Sequence, residues 1–244
     1  TTQTIMAHMG LGYEHDAMMR QLRDDFAMIL ASAAEPMAEP MRTQVWQRYI
    51  DATLVLRRII DERRENPGTD LISDMAIVND KDGNRMLSAA QIAVHLTEFA
   101  MAGVDSTTQA VSNAVLFLAR NPETLAEAIE DPALWQRVFE ETVRRRPSSP
   151  FAARQAQQDI ELGGAHIRKG DMVWLALASA NTDPARCPHP FEFDIHRPEP
   201  ENHLAFTQGR HTCLGQALAR VQGATALQVL FERLPSLRPA AEVP

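Results

Sequence analysis

The feature that most limits the fold is an uninterrupted helical segment in the middle of the chain. No proline occurs between Ser88 and Asn121, and Ser88 has capping-box spacing with Gln91, which favours a helix start there. We therefore predict one helix of roughly 33 residues, about 50 Å long at 1.5 Å per residue. It is apolar on most faces, so we expect it to pass through the interior of the protein.

Proline is distributed unevenly along the rest of the chain. Of 15 prolines, only Pro36, Pro40 and Pro67 precede residue 120. The first half can therefore hold long helices, whereas the second half is expected to consist of shorter elements and loops. The sequence predicts helices over 16–33, 42–65, 70–78 and 133–145, a strand–turn–strand region over 158–178, a long loop over 181–212 and a final helix over 214–234.

Composition narrows the class of protein. The 244 residues carry a formal net charge of −8, and this acidic balance argues against nucleic acid as the main partner. Two cysteines cannot build a disulfide framework and suit a reducing compartment. We find no leader-like start and no apolar run of membrane-spanning length. We therefore expect one cytoplasmic domain over residues 1–244.

The sharpest chemical signal is a cysteine at the end of a glycine-containing loop, at the start of the final predicted helix. Backbone N–H groups and the helix dipole at that position favour the thiolate form of Cys213. Gly209 and Gly215 leave room for a flat, bulky group against the backbone, and Phe206 can pack near the sulfur. A thiolate ligand to haem iron needs these features.

This loop resembles the haem-binding loop of the cytochrome P450 family, F-x-x-G-x-x-x-C-x-G, matched by Phe206, Gly209, Cys213 and Gly215. The resemblance implies a mainly α, P450-like fold with small β elements. It also implies haem b (iron protoporphyrin IX) as cofactor, with Cys213 as the axial ligand of the iron. By the same resemblance, Arg154 and His211 pair with the haem propionates.

A second resemblance lies in the predicted helix over 133–145. Glu141 and Arg144 have the i, i+3 spacing that puts both side chains on one helix face. The pair resembles the E-x-x-R motif of the same family. The resemblance implies that the pair is buried, that Arg197 in the following loop joins it, and that the three residues have a structural role.

The centre of the long helix carries a third resemblance. Residues 102–107 are similar to the oxygen-activating motif A-G-x-[DE]-T-[TS], which implies that Gly103 leaves space for dioxygen and that Asp105 and Ser106 deliver protons. Ser106 departs from the usual threonine and lacks the methyl group that restricts its rotamer. Thr107 points about 100° away around the helix. Small and hydroxyl-bearing residues at this position also predict a local kink or groove.

Shorter matches extend the resemblance from the helix over 42–65 to the final helix. They are D-x-x-x-x-G at 159–164, G-[DE] at 170–171 and A-N-x-D-P at 180–184. Complete members of the family carry a sizeable N-terminal part before this region, so we expect a C-terminal portion of the fold without that part. The positions that line the family's substrate pocket are Met101, Ala102, Phe151 and Ala152.

The activity implied is monooxygenation of a small organic substrate with O2 and two electrons. We expect a ferredoxin-type electron donor, because no glycine motif for a flavin or nicotinamide is visible. One alternative is a P450-like haem protein that uses peroxide or binds a ligand without catalysis. A less favoured one is a zinc-binding structural domain with two thiolates and two imidazoles as ligands, from Cys187, His189, His211 and Cys213.

Overall fold

A computed structural model of the chain describes residues 2–238. Its helices are α1 (Thr2–Met9), α2 (Asp16–Ala31), α3 (Met41–Glu65), α4 (Leu71–Ile77), α5 (Ala89–Arg120), α6 (Pro122–Glu130), α7 (Leu134–Arg145), α8 (Leu177–Ala180) and α9 (Gln216–Arg233). The strands are β1 (Phe151–Gln155), β2 (Ile160–Leu162), β3 (Ala165–Ile167) and β4 (Met172–Ala176). The predicted mainly α fold with small β elements is confirmed.

The predicted long helix begins where its capping box places it. The Ser88 amide donates to Gln91 Oε1 at 2.9 Å, and the Gln91 amide donates to Ser88 Oγ at 3.2 Å. Helix α5 is continuous through residues 102–108. The polar residues at its centre therefore do not break it. Among the described residues, no helix is long and apolar enough to cross a membrane.

The chain divides into two compact units, Thr1–Asp105 and Ser106–Pro244. In the first unit, helix α3 buries Val45, Leu56 and Ile60 on its apolar face. Helix α2 is tied to α3 by Arg48, whose guanidinium donates to the buried Asp25 carboxylate at 2.6 and 3.0 Å. The apolar stripe that predicts α3 is therefore the face that packs within this unit.

Helix α4 of the first unit has a charged cap. Asp70 accepts the Ser73 amide at 2.8 Å and the Arg63 Nε–H at 2.9 Å. Burial acts to raise the pKa of Asp70, but these hydrogen bonds outweigh it and the pKa is lowered. The carboxylate therefore stays charged where it satisfies the first turn of the helix.

In the second unit, α7 and α9 form the centre of the core. Trp135 on α7 stacks on Phe231 of α9, with ring centroids 5.7 Å apart. A side chain at Gly223 of α9 would run into the Phe139 ring of α7, so this glycine permits the close approach of the two helices. The whole stretch 138–144 of α7 is buried, and any charge on it needs a partner.

Two small antiparallel sheets complete the second unit. Strand β1 pairs with β4, with Phe151 opposite Ala176, and β2 pairs with β3, with Ile160 opposite Ile167. Gly163 and Gly164 join β2 to β3 with φ values of +58° and +80°, which suit glycine. Residues 181–208 contain no helix or strand, as the sequence predicts.

Candidate functional site

Two adjacent glutamates on α7 organise the candidate site. Glu140 and Glu141 are 0% and 3% exposed. Neighbouring residues of a helix point about 100° apart, so the two carboxylates reach different parts of the second unit. We call their partner sets the Glu141 network and the Glu140 network.

The Glu141 network joins α7 to the loop before residue 198. Arg144 grips Glu141 through two hydrogen bonds of 2.7 Å, a bidentate arrangement. Arg197 adds a hydrogen bond from Nε to Glu141 Oε1 at 3.1 Å, and the Asp194 amide donates to the same oxygen at 3.0 Å. The structure thus brings together the three residues that the E-x-x-R resemblance named.

The two arginines of this network also bind loop carbonyls. Arg144 Nη1 donates to Asn181 O at 2.9 Å and to Pro190 O at 3.0 Å. Arg197 donates to Pro188 O at 2.6 Å and to the carbonyl of the next residue at 2.7 Å. Burial acts to lower the pKa of Arg197, but the hydrogen bond to Glu141 and the nearby negative charges, Glu141 foremost, together outweigh burial and raise this pKa. This loop has no helix or strand, and hydrogen bonds from the two arginine side chains to its carbonyls hold it in place.

The Glu140 network reaches the loop before Cys213 and the first turns of α9. His203 Nε2 lies 2.9 Å from Glu140 Oε2, and Arg220 Nε donates to Glu140 Oε1 at 2.6 Å. The Ala205 amide donates to His203 Nδ1 at 3.2 Å. Since Nδ1 is an acceptor, the ring proton is assigned to Nε2, which donates to the carboxylate. Glu140, His203 and Arg220 were not predicted as site residues from the sequence.

Cys213 lies in a turn between this loop and α9. Its amide donates to Phe206 O at 2.9 Å, which closes the turn. Gly209 has a φ of +78°, and Thr207 has a φ of +56° with its hydroxyl donating to His211 O at 2.6 Å. A β-branched residue at positive φ is strained, so the turn is held in an unfavourable conformation by its surroundings.

The chemistry of this turn fits a haem with a thiolate ligand. The Cys213 side chain is exposed, and a Cβ at Gly209 or Gly215 would meet nothing within 4 Å. The backbone on both sides of the sulfur is therefore open to a flat group. His211 is exposed in the same turn, and Arg154 is half-buried on β1, where it donates to Ala153 O at 2.8 Å. Both side chains are accessible to an anionic group.

Residues 102–105 of the oxygen-activating motif belong to the first unit. A Cβ at Gly103 would lie 2.7 Å from Ile5 Cδ1, so the missing side chain makes room for helix α1. The Asp105 carboxylate is 70% exposed and lies 3.5 Å from Arg23 Nη1 of α2. Neither contact could be predicted from the sequence, because both partners lie far away along the chain.

The next two residues of the motif belong to the second unit. The Ser106 side chain is half-buried, and its carbonyl accepts the Ser148 hydroxyl at 2.7 Å. Thr107 is 4% exposed. Ser106 and Thr107 therefore differ in burial, in keeping with their different directions around α5.

The predicted pocket residues also divide between the units. In the first unit, Met101 is half-buried and Ala102 is exposed. In the second, Phe151 is 56% exposed, and Ala152 is half-buried opposite Leu175 of β4. An exposed phenylalanine on a sheet face is suited to contact with an apolar group.

The zinc alternative is not supported by the structure. Across residues 2–238, no group of three or more histidine, cysteine, aspartate or glutamate side chains is placed to hold a metal ion. Cys187, His189, His211 and Cys213 therefore do not converge as the four ligands of structural zinc must.

Fold and site together define a mainly helical protein with an accessible cysteine before a helix. A family model described as Cytochrome P450 matches residues 12–235. The chain belongs to the cytochrome P450 family, whose cofactor is haem.

Two curated relatives illustrate the sequence similarity. The biotin biosynthesis cytochrome P450 of Bacillus subtilis is 37% identical over 188 residues, covering 77% of this chain and 47% of that protein. Cytochrome P450 107B1 of Saccharopolyspora erythraea is 34% identical over 223 residues, covering 90% of this chain and 53% of that protein. The chain therefore spans about half the length of the curated relatives it matches.

A solved structure shows the same fold. P450BioI, in complex with acyl carrier protein ligated to hexadec-9Z-enoic acid, superposes with a TM-score of 0.84 at 32% identity. The match covers 99% of this chain and 60% of that one. The fold described here is thus a large portion of a complete P450 fold.

Proposed function

We propose that this chain supplies the thiolate side of a haem-dependent monooxygenase that oxidises a small organic molecule with O2 and two electrons. The observation that carries the proposal is the exposed Cys213 thiol, in a turn closed by the Phe206 carbonyl and followed directly by α9. The open glycines beside it, Gly209 and Gly215, admit a flat group.

The residues proposed to hold haem b surround this turn. Cys213 would bind the iron, Phe206 would pack beside the sulfur, and Gly209 and Gly215 would give the macrocycle access to the backbone. When bound, haem supplies the activation of O2, and thiolate ligation favours O–O cleavage. Its carboxylates are proposed to pair with the half-buried Arg154 and the exposed His211.

The Glu141 network is proposed to keep the core rigid beneath this site. Glu141, Arg144 and Arg197 contact loop backbone and one another, and none of their hydrogen bonds described above reaches the Cys213 turn. Their role is therefore structural. We propose that the matched region acts as one haem domain over 1–244, in the cytoplasm.

Proton delivery is proposed for the centre of α5. Asp105 is exposed and close to Arg23, and such a carboxylate can exchange protons with water. Ser106 supplies a hydroxyl next to it, while Gly103 and Thr107 complete the motif. Met101, Ala102, Phe151 and Ala152 are proposed to contact the organic substrate through small or apolar side chains.

Electrons are proposed to come from a ferredoxin-type protein, because the sequence carries no glycine motif for a flavin or nicotinamide. The second candidate function is a haem protein that uses peroxide or binds a ligand without turnover. Ser106 favours this candidate, because serine at the motif's threonine position has a less restricted hydroxyl.

Variants of Ser106 separate the two candidate functions. With ferredoxin, reductase and isotopically heavy O2, we expect Ser106→Thr to raise the product formed per electron pair and Ser106→Ala to lower it. The reason is that the threonine methyl narrows the rotamers of the hydroxyl, whereas serine can turn back to a helix carbonyl.

The measurement compares labelled product with reductant consumed. Label from O2 in the product supports monooxygenation. Equal coupling in the serine, threonine and alanine forms removes Ser106 from proton delivery. Product formed only when peroxide is added, without reductant, contradicts the monooxygenase and favours the second candidate.

A further inference from the structure

The Glu140 network is a buried charged assembly to which the proposed function gives no role. We infer that Glu140, His203 and Arg220 are positioning residues that hold the Cys213 turn from both of its ends and thereby set the exposure and reactivity of the thiol. The relevance of this inference to haem rests on the proposed function. The positioning itself concerns only residues of the second unit.

The carboxylate at the centre of the assembly is fully satisfied. Glu140 is 0% exposed, and each of its oxygens accepts one hydrogen bond, from His203 at 2.9 Å and from Arg220 at 2.6 Å. A buried carboxylate is strongly disfavoured unless it is paired. If either donor is lost, the carboxylate is also bound less firmly by the other donor. The three residues therefore act together.

His203 connects the Glu140 network to the N-terminal end of the Cys213 turn. Its side chain is 1% exposed, and its two ring nitrogens face opposite partners. Nε2 binds Glu140 on α7, while Nδ1 accepts the Ala205 amide at 3.2 Å. Ala205 directly precedes Phe206, whose carbonyl accepts the Cys213 amide. The imidazole therefore links α7 to the backbone that closes the turn.

Arg220 connects the Glu140 network to both sides of the Cys213 turn. Its Nη1 donates to Gln216 Oε1 at 2.9 Å, at the first residue of α9 after the turn. Its guanidinium also lies 4.7 Å from the centre of the Phe206 ring, within cation–π range. Phe206 and Gln216 flank Cys213 on its two sides, so one arginine contacts residues on both sides of the turn.

The neighbouring glutamate provides a matched control. Glu141 lies on the same helix and is equally buried, but its hydrogen bonds go to Arg144, to Arg197 and to the Asp194 amide. Those partners lie before the segment 204–216. A perturbation of the Glu141 network tests the effect of disturbing α7 without releasing the Cys213 turn.

The experiment measures backbone amide exchange and thiol alkylation in a Cys187→Ser background, which leaves Cys213 as the single thiol. His203→Asn keeps an acceptor near the position of Nδ1 but cannot reach Glu140. His203→Gln keeps a donor near the position of Nε2. Arg220→Lys keeps the charge but loses the planar fork that holds Glu140 and stacks on Phe206. Arg197→Gln is the control in the other network.

We expect His203→Asn and Arg220→Lys to speed amide exchange over 204–216 by about tenfold, the effect of losing one charged hydrogen bond. Alkylation of Cys213 by iodoacetamide at one fixed pH should change in rate, because release of the turn changes the access of the reagent to the thiol. His203→Gln should restore most of the protection. Arg197→Gln should speed exchange over 181–197 and leave 204–216 unchanged.

Two results overturn the inference. One is unchanged exchange and alkylation at Cys213 in both His203→Asn and Arg220→Lys. The other is a uniform rise in exchange across α7, α9 and the turn, which indicates a general structural role. Should His203→Asn fail to fold, Arg220→Lys decides, because the Arg220 side chain is 18% exposed and its replacement is tolerable.

Addition of haem afterwards tests the proposed function separately. If the parent chain binds haem, the positioning variants should show an altered fraction of thiolate-ligated haem in the reduced, CO-bound spectrum. If the parent chain binds no haem, the proposed function is contradicted. The exchange and alkylation results still decide the positioning role, because they are measured without haem.

Discussion

Glu140 and Glu141 are adjacent, equally buried and carried by the same helix, but their networks hold different kinds of structure. Glu141 is bound by two arginines that also bind the carbonyls of a loop without secondary structure. Glu140 is bound by one imidazole and one arginine, which contact the turn that carries Cys213. Burial of a charge therefore does not define its role, which depends on what its partners hold.

The two networks also differ in the charges that would be left unpaired if the glutamate were removed. Removal of Glu141 leaves Arg144, with a side chain 5% exposed, and Arg197, at 11%, without a counter-charge. Removal of Glu140 leaves a histidine that is neutral in its assigned tautomer and an arginine that is partly exposed. The comparison predicts unequal losses of stability from two adjacent substitutions.

The largest effect is expected for Glu141→Ala. It should lower the free energy of unfolding by about 3–5 kcal/mol, because breaking a buried ion pair leaves an uncompensated charge. Urea denaturation followed by circular dichroism measures the change. The exposed Glu130→Ala on α6 is the control and should change stability by less than about 0.5 kcal/mol. A Glu141→Ala variant as stable as this control would contradict a structural role for the Glu141 network.

A smaller loss is expected for Glu140→Ala. We expect about 2–3 kcal/mol, the cost of losing hydrogen bonds to a charged group, because the freed Arg220 can extend toward water. The same denaturation assay compares the two variants directly. If Glu140→Ala is the more destabilising of the two, our view that the Glu141 network bears more of the stability is wrong.

The smallest effect is expected within the Cys213 turn, at Thr207. Thr207→Gly relieves the strain of positive φ, whereas Thr207→Ala keeps the strain, and both lose the hydroxyl bond to His211 O. The glycine variant should therefore be more stable than the alanine variant by about 1–2 kcal/mol. Thermal unfolding of the pair measures the difference. Equal melting temperatures would show that Thr207 carries no strain.

Local signals in the sequence predicted much of this fold. The capping box at Ser88 and the absence of proline predict α5 because helix starts depend on residues within one turn. Strand β1 was not predicted, because Phe151–Gln155 contains few β-forming residues and becomes a strand by pairing with β4. Helices α1, α6 and α8 are short, and their patterns were too brief to predict them.

The residues of the candidate site could be predicted only where a family motif includes them. Glu141 and Arg144 are three residues apart, and the family motif names them together. The Glu140 network joins residues separated by 63 and 80 positions. One feature of the sequence could have indicated the Glu140 network. Glu140 is a second acid next to Glu141 and follows the apolar Val138 and Phe139, and a charge at a buried position needs a partner. That feature does not say which residues the partners are.

The most direct test of the account replaces each of the two cysteines in turn. Haem is added to the parent chain, to Cys213→Ser and to Cys187→Ser, and the reduced, CO-bound absorption spectra are compared. We predict the long-wavelength band of thiolate-ligated haem in the parent and in Cys187→Ser, and its loss in Cys213→Ser, because the thiolate is the proposed axial ligand. Retention of that band in Cys213→Ser together with its loss in Cys187→Ser would contradict the account.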